Sequence, residues 1–126
     1  MKGFSRWSPQ LLGLLRIVAG LLFLAHGVVK LFGFPPGAEP GVQPIASLFG
    51  VGAVIELVTG GLIALGLFTR PAALIASGQM AVAYWMFHAP SSSYPVLNGG
   101  EPAILFCFIF LYLFAAGPGA FSADKR

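Results

Sequence analysis

Arg16 and Glu56 are set inside long apolar stretches, and an ionisable side chain placed there must either do chemistry or find a partner. A charged group at the centre of a bilayer costs several kcal/mol, so it turns toward the interior of a helix bundle and pairs. Glycine supplies the space for that: Gly13, Gly20 and Gly27 recur every seven residues on one face with Arg16, Phe23 and Lys30, His26 lying at its margin. On the next apolar stretch Gly52, Glu56 and Gly60 are four apart. Packing the two faces together predicts a guanidinium–carboxylate fork between Arg16 and Glu56. Such a pair serves either as a proton-relay centre or simply as a lock on helix register.

A second set of chemistry-bearing residues gathers at the other end of the helices. His26 and Lys30 close the first apolar stretch, His88 closes the third, and Asn98 and Glu101 open the fourth. Antiparallel packing brings all of them to one membrane face. Met80, Tyr84 and His88 fall at i, i+4 and i+8, which puts Tyr84 one turn from His88. Taken singly, each has a plain structural role: Lys30 snorkels to headgroups, Glu101 and Asn98 cap a helix, and Trp85 anchors at the interface. Together they predict a pocket able to hydrogen-bond a quinone carbonyl or pass a proton, since imidazole donates, accepts and titrates near neutrality. Two imidazoles with Glu56 or Glu101 would also suit iron, and two transmembrane histidines would suit haem. No HExxH or ExxH spacing supports a metal, so no metal ligands are assigned. Cys107 is the single cysteine, which rules out an intrachain disulfide or a CxxC redox pair.

These residues need four helices to position them. Of 126 residues, 57% are apolar and 9% charged, with a mean hydropathy of +0.87, far too little charge for a water-facing surface. The expected fold is all-α: a polytopic membrane protein in which residues 1–126 form a single transmembrane domain. Its four antiparallel spans fall at about 10–32, 45–68, 71–88 and 101–117. The first apolar stretch outruns a signal-peptide core and lacks a small-x-small cleavage site, so it reads as a span. Lys2, Arg6, Arg70, Lys125 and Arg126 fall on one side; Lys30, Glu39 and Glu101 fall on the other. The positive-inside rule then puts both termini in the cytoplasm. The net charge of +3 belongs to these helix ends and marks no nucleic-acid surface. The bilayer is the expected partner, and homo-oligomerisation is compatible with the spans without being indicated by them.

The segments RIVAGLLFLAHGVVKLFGF (16–34), GVGAVIELVTGGLIALGLFTRPAAL (50–74) and NGGEPAILFCFIFLYLFAAGPGAFSAD (98–124) resemble the DoxX family of small bacterial membrane proteins. The shared pattern is Arg16, His26-Gly27, Glu56, Thr69-Arg70-Pro71 and the ending with Ser122 and Asp124. The resemblance implies a four-helix fold in the bacterial cytoplasmic membrane. It also implies a link to quinone chemistry, because the family is named for a subunit associated with an archaeal thiosulphate:quinone oxidoreductase. The resulting expectation is an oxidoreductase component that binds a quinone among His26, Lys30, Tyr84, His88, Asn98 and Glu101, with Glu56, Arg16 and His88 in the catalytic roles. The alternative is a non-catalytic accessory or assembly subunit that recruits a redox or membrane-complex protein.

Overall fold

The computed structural model describes residues 2–124. Lys125 and Arg126, counted above among the cytoplasmic charges, lie outside them, as does the side chain of Lys2. A short turn, α1 (Lys2–Ser5), leads into α2 (Ser8–Phe32). Pro9 sits in the first turn of α2, where its missing N–H leaves nothing unsatisfied, and Gly33 closes the helix in the left-handed conformation. Ser47 caps α3 (Leu48–Leu65) by accepting the Gly50 N–H at 3.0 Å. Next come α4 (Thr69–Ala83), a π-helical turn (Tyr84–His88), a 3-10 turn (Ala89–Ser91), the short α5 (Pro95–Asn98) and α6 (Glu101–Ala116). The described residues contain helices and no strand.

The 25 residues of α2 and 18 of α3 make helices long and apolar enough to cross a membrane. At 1.5 Å per residue they measure about 37 and 27 Å against a hydrocarbon core of about 30 Å. α4 and α6, with 15 and 16 residues, are shorter. Large apolar side chains cover the outside, among them Leu11, Leu14, Leu15, Val18, Leu21 and Leu22 on α2 alone. A continuous apolar exterior of this kind needs lipid as its solvent.

α2 packs on α3, α4 on α6, and α3 on α4. Glycine sets the first contact. A Cβ at Gly20 would lie 2.6 Å from the Ala64 nitrogen, one at Gly60 2.7 Å from the Leu24 nitrogen, and one at Gly27 2.8 Å from the Ala53 oxygen. Those pairs fix an antiparallel register in which residue numbers on the two helices sum to about 82. Gly20→Leu is therefore expected to force α2 and α3 apart and destabilise the fold by about 1–3 kcal/mol, measurable as a lowered melting temperature in detergent. Alanines do the same work on α4, where Ala72, Ala73 and Ala76 are buried with Phe23, Ile63, Phe110 and Leu113. The Ser77 hydroxyl adds a cross-link by donating to the Cys107 carbonyl of α6 at 2.7 Å.

Candidate functional site

The register separates the two charges that the sequence predicts to meet. Arg16 lies beside Gly66, and Glu56 lies level with His26 to Lys30, about ten residues or 15 Å further along α2. The expected Arg16–Glu56 fork is therefore corrected, because each residue has a different partner. Glu56, only 3% exposed, accepts from Lys30 Nζ at 2.9 Å on both carboxylate oxygens. Gln79 Nε2 donates to Glu56 Oε2 at 3.2 Å and to the Gly52 carbonyl at 3.0 Å. Gly52 accordingly faces α4, while Gly60 faces α2.

Arg16, fully buried, holds the segment that follows α6. Nη1 donates to the carbonyls of Pro118 and Ala120, the latter at 2.9 Å, and Nη2 donates to that of Phe121 at 2.7 Å. The same segment, residues 117–124, is sewn across the helix ends by backbone bonds. Ala120 N–H donates to Pro9, Ala123 N–H to Leu65 and Asp124 N–H to Gly66. Asp124 then accepts the N–H groups of Phe68 and Thr69, each at 2.9 Å, at the start of α4. Chiefly through the Thr69 N–H, these bonds hold the Asp124 carboxyl below its ordinary value of 3.8.

A carboxyl whose folded value is depressed contributes stability above its unfolded value and loses it as pH falls through the folded one. Acid below 3.8 is thus expected to loosen the strap, and Asp124→Asn to flatten that acid-side loss in melting temperature.

The second cluster assembles in part. A cavity of about 730 Å³ opens between α2, α3, α4 and the start of α6, with His26, Lys30, Glu39, Glu56, Gln79 and His88 as its polar lining. The remaining wall is apolar and includes Phe23, Met80, Phe87 and Phe106. His26 is exposed, stands edge-on to Phe106 with centroids 6.0 Å apart, and makes no hydrogen bond within the described residues. His88 Nδ1 is 3.0 Å from the Asn98 carbonyl, an acceptor, so Nδ1 carries the proton and a neutral ring leaves Nε2 bare.

Tyr84 and Asn98 stand behind the wall. Asn98 Nδ2 donates to the Tyr84 hydroxyl at 3.0 Å and to the Ser92 carbonyl at 3.0 Å, while its Oδ1 accepts the Gly100 N–H at 2.8 Å. The π turn produces this arrangement. It inserts one residue into the turn, with Ala89 N–H bonding to Tyr84 O, so the Met80–Tyr84–His88 line shifts. Tyr84 turns toward Gly100 and still stacks on His88 at 6.3 Å. Both therefore support His88 instead of lining the cavity. Glu101 is exposed at the first turn of α6 and joins neither the cavity nor the cluster, a second correction to the expected ligand set. Among the described residues, no group of three or more His, Cys, Asp or Glu gathers at metal-binding distance, so the iron alternative of two histidines and a carboxylate is not assembled.

Gln79 is the residue that reading the sequence passed over. A lone amide within an apolar helix is the same kind of signal that singled out Arg16. Its Oε1 is buried without a partner among the described residues, a condition that costs about 1–3 kcal/mol.

Comparison of the chain with known proteins identifies the family to which this helical membrane protein belongs. The DoxX family profile matches residues 11–89. The chain belongs to the DoxX family. It is 38% identical to a protein of Haemophilus influenzae, over 100% of this chain and 97% of that one. It is also 30% identical to the inner membrane protein YphA of Escherichia coli, over 98% of this chain and 94% of that one. A membrane protein of Mycobacterium tuberculosis is 30% identical over 89% of this chain and 78% of its own length. No solved structure matches. This DoxX protein is thus a membrane protein of the bacterial inner membrane.

Proposed function

We propose that this DoxX protein is the quinone-binding component of a membrane oxidoreductase, and that it takes the ring of a quinone-like molecule from the bilayer into the outer-half cavity. The observation that carries this reading is a polar Lys30–Glu56–Gln79 centre at the wall of an apolar cavity large enough for a small-molecule headgroup. Exposed apolar residues of α3 and α4, including Leu48, Val51, Ile75 and Val82, belong to the lining and suit entry from lipid. Four crossings with both termini cytoplasmic complete the proposal. They would put Arg6 and Arg70 inside and the cavity end outside.

Within the cavity each residue has a distinct task. The unbonded His26 ring hydrogen-bonds a ring oxygen. The Lys30–Glu56 pair supplies a proton reservoir whose charges cancel when the site is empty of substrate charge. His88, fixed by Asn98 and Tyr84, offers its second nitrogen. Arg16 takes no part, being about 15 Å away along α2. Electrons would pass to or from a partner protein.

To test this, the protein is extracted gently from its own membrane, its small-molecule content is read by mass spectrometry, and retention of a short-chain quinone is measured. A co-purifying quinone is expected, with retention weakened about tenfold or more in both Glu56→Gln and His88→Ala. Unchanged retention in both variants contradicts the reading. A quinone-free protein that co-purifies with a stoichiometric, active partner would favour the accessory-subunit alternative.

A further inference from the structure

We infer that the pocket between the starts of α2 and α4 and the end of α6 holds the head group of an anionic phospholipid, with the Arg70 guanidinium on its phosphodiester. This site lies at the opposite end of the bundle from the quinone cavity and does not depend on that reading. A second cavity of about 500 Å³ opens there, and its lining includes Ser8, Leu12, Phe68, Arg70, Tyr112 and the strap residue Pro118. Arg70 is exposed, and its guanidinium lies against Gly117, where a Cβ would come within 2.9 Å of Nη2. Among the described residues that guanidinium makes no hydrogen bond or ion pair, and the hydroxyls of Ser8 and Tyr112 are likewise unbonded. The pocket therefore offers a fork of N–H donors beside two hydroxyls. A phosphodiester, with two equivalent oxygens, is the head-group element that engages such a fork bidentately.

Charge at this end favours a net-negative ligand. Asp124 also lines the pocket, but its two oxygens already accept the Phe68 and Thr69 N–H groups. The start of α4 is thereby satisfied, and the attraction comes from Arg70. Arg16 lies within electrostatic reach of Asp124, and Arg6 stands two residues before Ser8, so guanidinium charge outweighs carboxylate here. A zwitterionic head group would bring an ammonium into the same field, which disfavours it. The surroundings select a lipid over a free phosphate. Tyr112, Phe108 and Leu105 are all exposed and fall at i, i−4 and i−7 on α6, so one outward apolar stripe leads from the pocket along the bundle. Leu74, one turn beyond Arg70 on α4, is exposed as well. An acyl chain can follow these side chains while its head group stays on Arg70.

The test places the full chain in detergent micelles carrying phosphatidylglycerol or phosphatidylethanolamine with matched acyl chains, and native mass spectrometry measures the lipid retained. The wild type is expected to retain phosphatidylglycerol about tenfold more tightly than phosphatidylethanolamine. In Arg70→Gln that preference should fall to about threefold or less, with the melting temperature in lipid-free detergent unchanged. Arg6→Gln removes the same charge outside the pocket and should keep the preference. Tyr112→Phe should weaken phosphatidylglycerol retention about threefold through the lost hydroxyl. Equal wild-type retention of the two lipids overturns the inference, as does a preference that survives Arg70→Gln. Equal losses in Arg6→Gln and Arg70→Gln also overturn it, because diffuse surface charge would then account for the attraction. Excess glycerol 3-phosphate separates the two sources of phosphate: it should leave the lipid in place, and displacement would assign the pocket to a soluble phosphate instead. Should Arg70→Gln fail to fold, the wild-type ratio and Tyr112→Phe decide the question.

Discussion

Arg16→Met is expected to release the carboxy-terminal strap and destabilise the protein by about 3–5 kcal/mol. The guanidinium is fully buried and donates to three backbone carbonyls on a single turn of chain, Pro118, Ala120 and Phe121. Removing it deprives all three carbonyls of this donor, and that of Pro118 is left in a buried position. Arg16→Lys is expected to recover little, because an ammonium cannot reproduce a planar fork that reaches three oxygens at once. Thermal unfolding in detergent gives the stability, and proteolysis after residue 117 reports the strap directly. Because Arg16 and Glu56 share no partner, the Arg16→Met and Glu56→Gln effects should add to within about 0.5 kcal/mol. A large coupling energy would restore the fork that the sequence suggests.

At the other centre, Lys30→Met is expected to destabilise by about 3 kcal/mol or more, since it leaves the Glu56 carboxylate buried with Gln79 as its remaining donor. Adding Glu56→Gln should return stability to within about 1 kcal/mol of the wild type, because neutral groups of similar size then fill the space. Quinone retention should not return with it. This outcome separates a functional ion pair from one that merely sets helix register: a register lock would lose stability and regain binding in parallel. Measuring unfolding and quinone retention on the two single variants and the double variant distinguishes the two.

The helices were legible in the sequence because their signals are local. Pro71 and Pro102 fall in the first turns of α4 and α6, while the expected 45–68 and 71–88 spans give shorter α-helices, Leu48–Leu65 between the Ser47 cap and Gly66, and Thr69–Ala83 before the π turn. The glycine faces were legible in part: Gly20, Gly27 and Gly60 lie at the α2–α3 contact their spacing implies, whereas Gly13 lies against Ala120 and Gly52 faces α4. Partner choice was not legible. It depends on the register of α2 against α3, which the loop at residues 33–47 and the backbone approach at Gly20 and Gly60 fix together, and a shift of ten residues exchanges Arg16 for His26 opposite Glu56. The strap at 117–124 was hidden because its bonds run from backbone groups to Pro9, Leu65 and Gly66, which carry no pattern in sequence. The π turn at Tyr84–His88 likewise follows from packing and not from residue type. It moved Tyr84 off the cavity wall and kept His88 on it.

The placement of the ligand within the bundle is tested most directly by photolabelling. A short-chain quinone carrying a small photoreactive group would be irradiated with the protein in nanodiscs and the labelled peptides mapped by mass spectrometry. Labels are expected on cavity residues of α2, α3 and α4, around Phe23–Lys30, Gly52–Glu56 and Gln79–His88, and excess unlabelled quinone should suppress them. Labels confined to the lipid-facing leucines of α2, such as Leu14 and Leu22, and insensitive to competition would contradict a quinone site in this cavity.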